Sequence, residues 1–128
     1  MAGKFKVLIV EDSTLIRKTL KECFFLRFPA IEIHEAGNGE EALQKLKILV
    51  PDLIFMDVKL PDVNGLSLAE RVKALYPETI IAILTSYDLP EYREAAYQHA
   101  DHFLTKNSAT TSGIFKLVES ILVNRQML

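Results

Sequence analysis

Residues 53–57 read Leu-Ile-Phe-Met-Asp, four apolar residues and then an acid, behind the turn-forming pair Pro51-Asp52. A run that is apolar at every position cannot alternate between a core face and a wet face. It therefore reads as a strand covered on both sides, as in parallel sheets. The pattern recurs along the chain. Phe5–Val10 ends at Glu11-Asp12, Thr79–Leu84 ends at Thr85, and the short run His102–Thr105 ends at Lys106. Ile31–Ala36 (IEIHEA) alternates apolar and charged residues instead, as a half-exposed edge strand should.

Helical spacing fills the intervals. Ser13 offers an N-cap before Leu15, Ile16, Leu20, Cys23 and Phe24, with Pro29 as the stop. Asn38-Gly39 turns into a helix through Ala42, Leu43 and Leu46, and Leu66, Leu68, Ala69, Val72 and Leu75 mark another, ended by Pro77. Asp88 with Glu91 reads as a cap and its acidic partner, opening a short helix through Tyr97. The last helix starts at about Thr111 and buries Ile114, Leu117, Val118, Ile121 and Leu122. Phe24, Phe25 and Phe28 are expected against the sheet, whereas Phe115, Val123 and Met127 fall off the buried stripe. Five strands alternating with five helices predict an α/β, doubly wound, flavodoxin-like (βα)5 domain over residues 1–128. Its three layers are α/β/α and its parallel order is 2-1-3-4-5.

The 128 residues suffice for one core. A net charge of −2 gives no electrostatic reason for a nucleic-acid surface, and no apolar stretch approaches a membrane span. Cys23 is the only cysteine, which excludes an internal disulfide and suits a reducing, cytoplasmic setting. His34, His99 and His102 lack the spacing of a metal pair and are expected to be surface residues.

In that strand order the first and third strands are neighbours at the switch point, so Asp12 and Asp57 meet on one rim. Glu11, Asp12 and Asp57 would place three negative charges there against Lys106 alone, an arrangement that repels itself unless a cation or protons intervene. Oxygen donors of this kind suit Mg²⁺, which keeps its waters and needs few protein ligands. Asp57 could then attack a phosphoryl donor and hold the group as an acyl phosphate. Lys106 would neutralise charge and the Thr85 hydroxyl would donate to a phosphoryl oxygen. Taken singly, each residue has a plainer reading as a helix-dipole acid, turn former, strand filler or surface cation.

Glu11-Asp12 behind VLIV, Asp57 followed by Pro61 and Gly65, Thr85-Ser86 behind IIAIL, and Phe103-Leu-Thr-Lys106 together resemble the receiver domain of bacterial two-component response regulators. The likeness covers essentially the whole chain. It implies a phosphorylation-dependent switch rather than an enzyme with its own output. Asp57 would accept phosphate from a sensor histidine kinase or phosphotransfer protein. Asp12, Asp57 and the Lys59 backbone carbonyl would ligate Mg²⁺, with Glu11 acting through water, and Lys106 would contact the phosphoryl group. Thr85 would move toward it as Phe103 turns inward, remodelling the face of the fourth helix, fifth strand and fifth helix for an output domain, a target protein or a second copy. Lys59 and Tyr87 occupy variable positions that border the phosphoryl group and are read as shields of the acyl phosphate.

Two departures stand out. Asn107 follows Lys106 where most of that family has proline, a variation that resembles receivers attached to helix-turn-helix DNA-binding output domains. His99 and His102 stand where glycine is common. Two other classes compete. A Mg²⁺-dependent phosphohydrolase would want an acid where Lys59 stands, and a flavodoxin would want an uncharged phosphate cradle where EDSTLIRK stands.

Overall fold

The computed structural model describes residues 3–107 and 110–128. Its elements are β1 (Lys6–Val10), α1 (Thr14–Arg27), β2 (Glu32–Ala36), α2 (Gly39–Leu49), β3 (Leu53–Met56), α3 (Gly65–Leu75), β4 (Ile80–Thr85), α4 (Pro90–His99), β5 (His102–Thr105) and α5 (Thr110–Asn124). The five strands form one parallel sheet in the order β2-β1-β3-β4-β5, the order expected of the alternating edge strand and the apolar central ones.

Strand periodicity divides the core in two. Leu8, Val10, Ile54, Met56, Ile81 and Ile83 face α2, α3 and α4, packing on Ala42, Leu46, Leu68, Ala69, Val72 and Ala96. The alternate residues Val7, Ile9, Leu53, Phe55, Ala82 and Leu84 face α1 and α5, where they meet Leu20, Phe24, Ile114 and Val118. Each fully buried aliphatic side chain contributes about 1.5–3 kcal/mol of transfer free energy, so both faces hold the central strands in place.

Several local expectations are corrected. Leu15, Phe25 and Leu75 are exposed rather than in the core. Phe115 is partly buried, because its long ring reaches back to Phe24 and Phe28 with centroids 6.3 and 5.6 Å away. Asp88 does not cap α4. Pro90 stands in its first turn, which forces an extended residue before it, and Leu89 takes the cap position without a side-chain bond. Asp88 instead pairs with Arg93 at 2.6 Å. Ser13 caps α1 as expected, accepting from the Ile16 amide at 3.2 Å. His99 and His102 keep negative φ, and the Lys106–Asn107 peptide is not cis.

Val50 is a strained point. It closes α2 at φ 44° and ψ 71°, in the left-handed region that β-branched residues avoid, and Pro51 follows it. Glycine would lose that penalty but gain freedom in the unfolded chain. We therefore expect Val50→Gly to raise unfolding stability by about 1 kcal/mol, measured as a higher urea midpoint at unchanged slope.

Candidate functional site

The rim is assembled by strand register. Val10 and Met56 are partners in the β1–β3 pair, so the residues that follow emerge side by side, and the Asp57 amide donates to the Val10 carbonyl at 3.0 Å. On the other side the Lys106 amide donates to the Thr85 carbonyl at 2.7 Å, which ties the end of β5 to that of β4. From there the Lys106 Nζ lies 2.9 Å from Glu11 Oε2 and 3.3 Å from Asp57 Oδ2. Carboxylate oxygens of Glu11, Asp12 and Asp57 all lie within 4.8 Å of one another. Glu11 and Asp57 are 4% and 8% exposed, whereas Asp12 faces solvent.

One ammonium does not balance three such acids. Burial pushes the Glu11 carboxyl up to about 7, its contact with Asp57 pushes the same way, and Lys106 pulls against both. Glu11 therefore holds its proton more tightly than an ordinary carboxylate, and three carboxylates this close form an oxygen donor set suited to a hard divalent ion. An exposed carboxylate at Asp12 beside two buried ones lets such an ion keep part of its water shell.

The loop after β3 fixes Asp57 from behind. A Cβ on Gly65 would sit 1.8 Å from the Asp57 carbonyl oxygen, so only glycine permits this approach. The Gly65 amide donates to the Val58 carbonyl at 2.7 Å, and Asn64 caps α3 by accepting from the Leu66 amide at 2.8 Å. Asp62 accepts from the Gly39 and Glu40 amides at 2.8 and 2.9 Å, and these donors hold its carboxyl below the usual range. The loop that begins at the candidate nucleophile is thereby fastened to the start of α2.

Thr85 is buried, and its hydroxyl oxygen accepts from the Tyr87 amide at 3.2 Å. The Lys59 ammonium lies 4.1 Å from the centre of the Tyr87 ring, and that ring meets Tyr92 edge-on at 6.5 Å. Phe103 is partly buried, with the Arg93 guanidinium 4.7 Å from its ring centre. The structure thus brings Glu11, Asp12, Asp57 and Lys106 together, sets Thr85 beside Lys106, and pairs Lys59 with Tyr87. His34 lies 2.7 Å from Glu32 and His99 lies 3.8 Å from Glu70, both away from this group. Sequence reading passed over Arg17 and Asp62, whose main partners, the Glu11 carbonyl and Glu35 for one and the Gly39 and Glu40 amides for the other, lie outside their own elements and leave no local signal.

A family model described as the response regulator receiver domain matches residues 7–118. The chain belongs to that family of signalling modules, and the flavodoxin alternative is set aside. It is 34% identical over 124 residues to a protein-glutamate methylesterase/protein-glutamine glutaminase of Carboxydothermus hydrogenoformans, covering 94% of this chain and 36% of that protein. It is 30% identical over 127 residues to the uncharacterized transcriptional regulatory protein YhcZ of Bacillus subtilis, covering 91% of this chain and 59% of that protein. The chain therefore spans about a third to three-fifths of the length of these relatives. A crystal structure of a CheY-like receiver domain protein from Methanospirillum hungatei superposes with TM-score 0.86 at 26% identity, over 97% of this chain and 98% of that one. Among the described residues no helix is long and apolar enough to cross a membrane.

Glu11 binds its proton more tightly in the folded protein than in the unfolded chain. Its contribution to stability is complete below the ordinary value of 4.5 and is lost as pH rises through about 7. In metal-free buffer the urea midpoint should fall between about pH 5 and about pH 8. Glu11→Gln should flatten that decline, and Mg²⁺ should reverse it at the upper pH.

Proposed function

We propose that this chain is a phosphorylation-driven receiver whose acceptor is Asp57. The observation that supports this most is the Lys106 ammonium lying between two nearly buried carboxylates, with a third acid within 4.8 Å. Asp12, Asp57 and the Lys59 carbonyl would hold Mg²⁺, and Glu11 would act through water. The ion would supply charge neutralisation at the transferring phosphoryl group. An oxygen of Asp57 attacks phosphorus while the bond from phosphorus to the leaving group breaks, and the electron pair departs with that group. The leaving group is imidazole from a histidine kinase or phosphotransfer protein, or acetate from acetyl phosphate. Lys106 moves its bonds from Asp57 to the phosphoryl oxygens, and the Thr85 hydroxyl turns from the Tyr87 amide to donate to them.

The added charge favours the conformation that pairs it best, which biases an existing two-state equilibrium. Phe103 would turn inward as Thr85 moves, breaking its stack with Arg93 and altering the face built by α4, β5 and α5. Output is read by another unit of the same protein or by a separate cytoplasmic partner. Asn107 favours an input module of a helix-turn-helix transcription regulator, and the likeness to YhcZ, named as a transcriptional regulatory protein, agrees with a regulator of transcription, with no nucleic acid bound by the receiver itself.

Incubation with acetyl phosphate should add one phosphoryl group by intact mass only when Mg²⁺ is present, and Asp57→Asn should abolish it. Persistence of labelling in that variant sinks the assignment. Lys106→Ala should keep Mg²⁺ binding but lower the labelling rate by about tenfold or more. We read the Lys59–Tyr87 pair, with the ammonium 4.1 Å from the ring centre, as the shield of the acyl phosphate. Replacing either by alanine should therefore shorten the lifetime of the acyl phosphate severalfold, followed as loss of the mass-shifted species after donor removal.

A further inference from the structure

We propose that Arg17 is a positioning residue for the cation site, acting through the peptide that joins Glu11 to Asp12; the proposal rests on the Mg²⁺-binding reading above. Arg17 lies in the first turn of α1 and its side chain is only 17% exposed. Nη1 donates to the Glu11 carbonyl at 2.5 Å, Nε donates to Glu35 Oε1 at 3.3 Å, and Nη2 reaches Thr14 Oγ1 at 3.4 Å. The guanidinium also lies against the turn after β2, because a Cβ on Gly37 would come within 3.3 Å of Nη1.

Glu11 is thereby held at both ends. Its amide donates to the Ala36 carbonyl at 3.0 Å, and its carbonyl accepts from Arg17. A peptide unit is planar, so fixing that carbonyl oxygen fixes the plane that carries the Cα atoms of both Glu11 and Asp12. Orientation of those two acids is then set from the edge strand, through a side chain that touches no carboxylate of the cluster. A forked, permanently charged donor is needed to engage a carbonyl and a carboxylate at once, and lysine cannot reproduce it. The ion pair with Glu35 is the lesser part, since Lys21 lies 3.4 Å from the other oxygen of the same group.

Charge and position make opposite predictions here. A guanidinium near three acids opposes a second cation, so deleting it as a mere charge would tighten Mg²⁺ binding. Deleting it as a support would loosen binding, and groups that orient metal ligands typically govern affinity by about 10–100-fold.

Calorimetric titration of MgCl₂ into the whole chain separates the two. Arg17→Gln should bind about tenfold more weakly than wild type, and Arg17→Lys should also bind more weakly although the charge is kept. Lys21→Ala, which removes a cation from the same Glu35, should not weaken binding. The labelling deficit of Arg17→Gln with acetyl phosphate should vanish at saturating Mg²⁺, whereas general damage would persist there. Equal or tighter Mg²⁺ binding by Arg17→Gln overturns the proposal, and if that variant does not fold, unchanged affinity in Arg17→Lys does so. Absence of Mg²⁺ binding by the wild type would instead overturn the metal-site reading itself, and this inference with it.

Discussion

The contact on which the site depends is a single ammonium shared by two acids that the sheet forces together. Parallel pairing of β1 with β3 delivers Glu11 and Asp57 to adjacent positions whatever their charge, and the core residues behind them leave no room to retreat. Lys106 compensates part of that repulsion from β5, at the far edge of the sheet. The remainder is visible at Glu11, whose carboxyl is held above the ordinary range by burial and by Asp57. Chemistry and architecture are therefore not separable here. Hydrophobic burial on both faces of the central strands holds the charge imbalance in place.

Around that centre the polar fastenings form a chain of their own. Asp57 is backed by Gly65, the intervening loop is clipped to α2 by Asp62, α2 begins beside the turn that Arg17 touches, and Arg17 holds Glu11. Both acid-bearing loops are thus referred to the same short stretch, the turn after β2 and the first residues of α2. Separately, the Lys59 ammonium lies over the Tyr87 ring, which meets Tyr92 edge-on.

Most of this was visible in the residues alone. The runs LIFM and VLIV declared central strands because nothing polar interrupts them, and IEIHEA declared an edge. Asp12, Asp57, Thr85 and Lys106 were legible because each stands where such a run stops. What escaped had physical reasons. Arg17 and Asp62 bond to backbone atoms brought close only by folding, so no periodicity marks them. Asp88 looked like a cap until Pro90 imposed its own starting point on α4. Phe115 was placed by helical angle, which ignores how far a large ring extends.

Acidic side chains also occur at the other rim, where their fate is different. Asp52 accepts from the Lys6 amide at 2.8 Å and meets Arg125, and Asp101 accepts from the Ile81 amide at 2.8 Å and meets Lys73. Near the beginnings of strands, unspent amides greet a carboxylate and quench it into a structural staple. At the other border Asp62 is likewise satisfied by helix amides, but Glu11 and Asp57 meet an ammonium instead. At one border of the sheet acids thus serve as masonry between strand amides and a cation, whereas at the other Glu11 and Asp57 share a single ammonium.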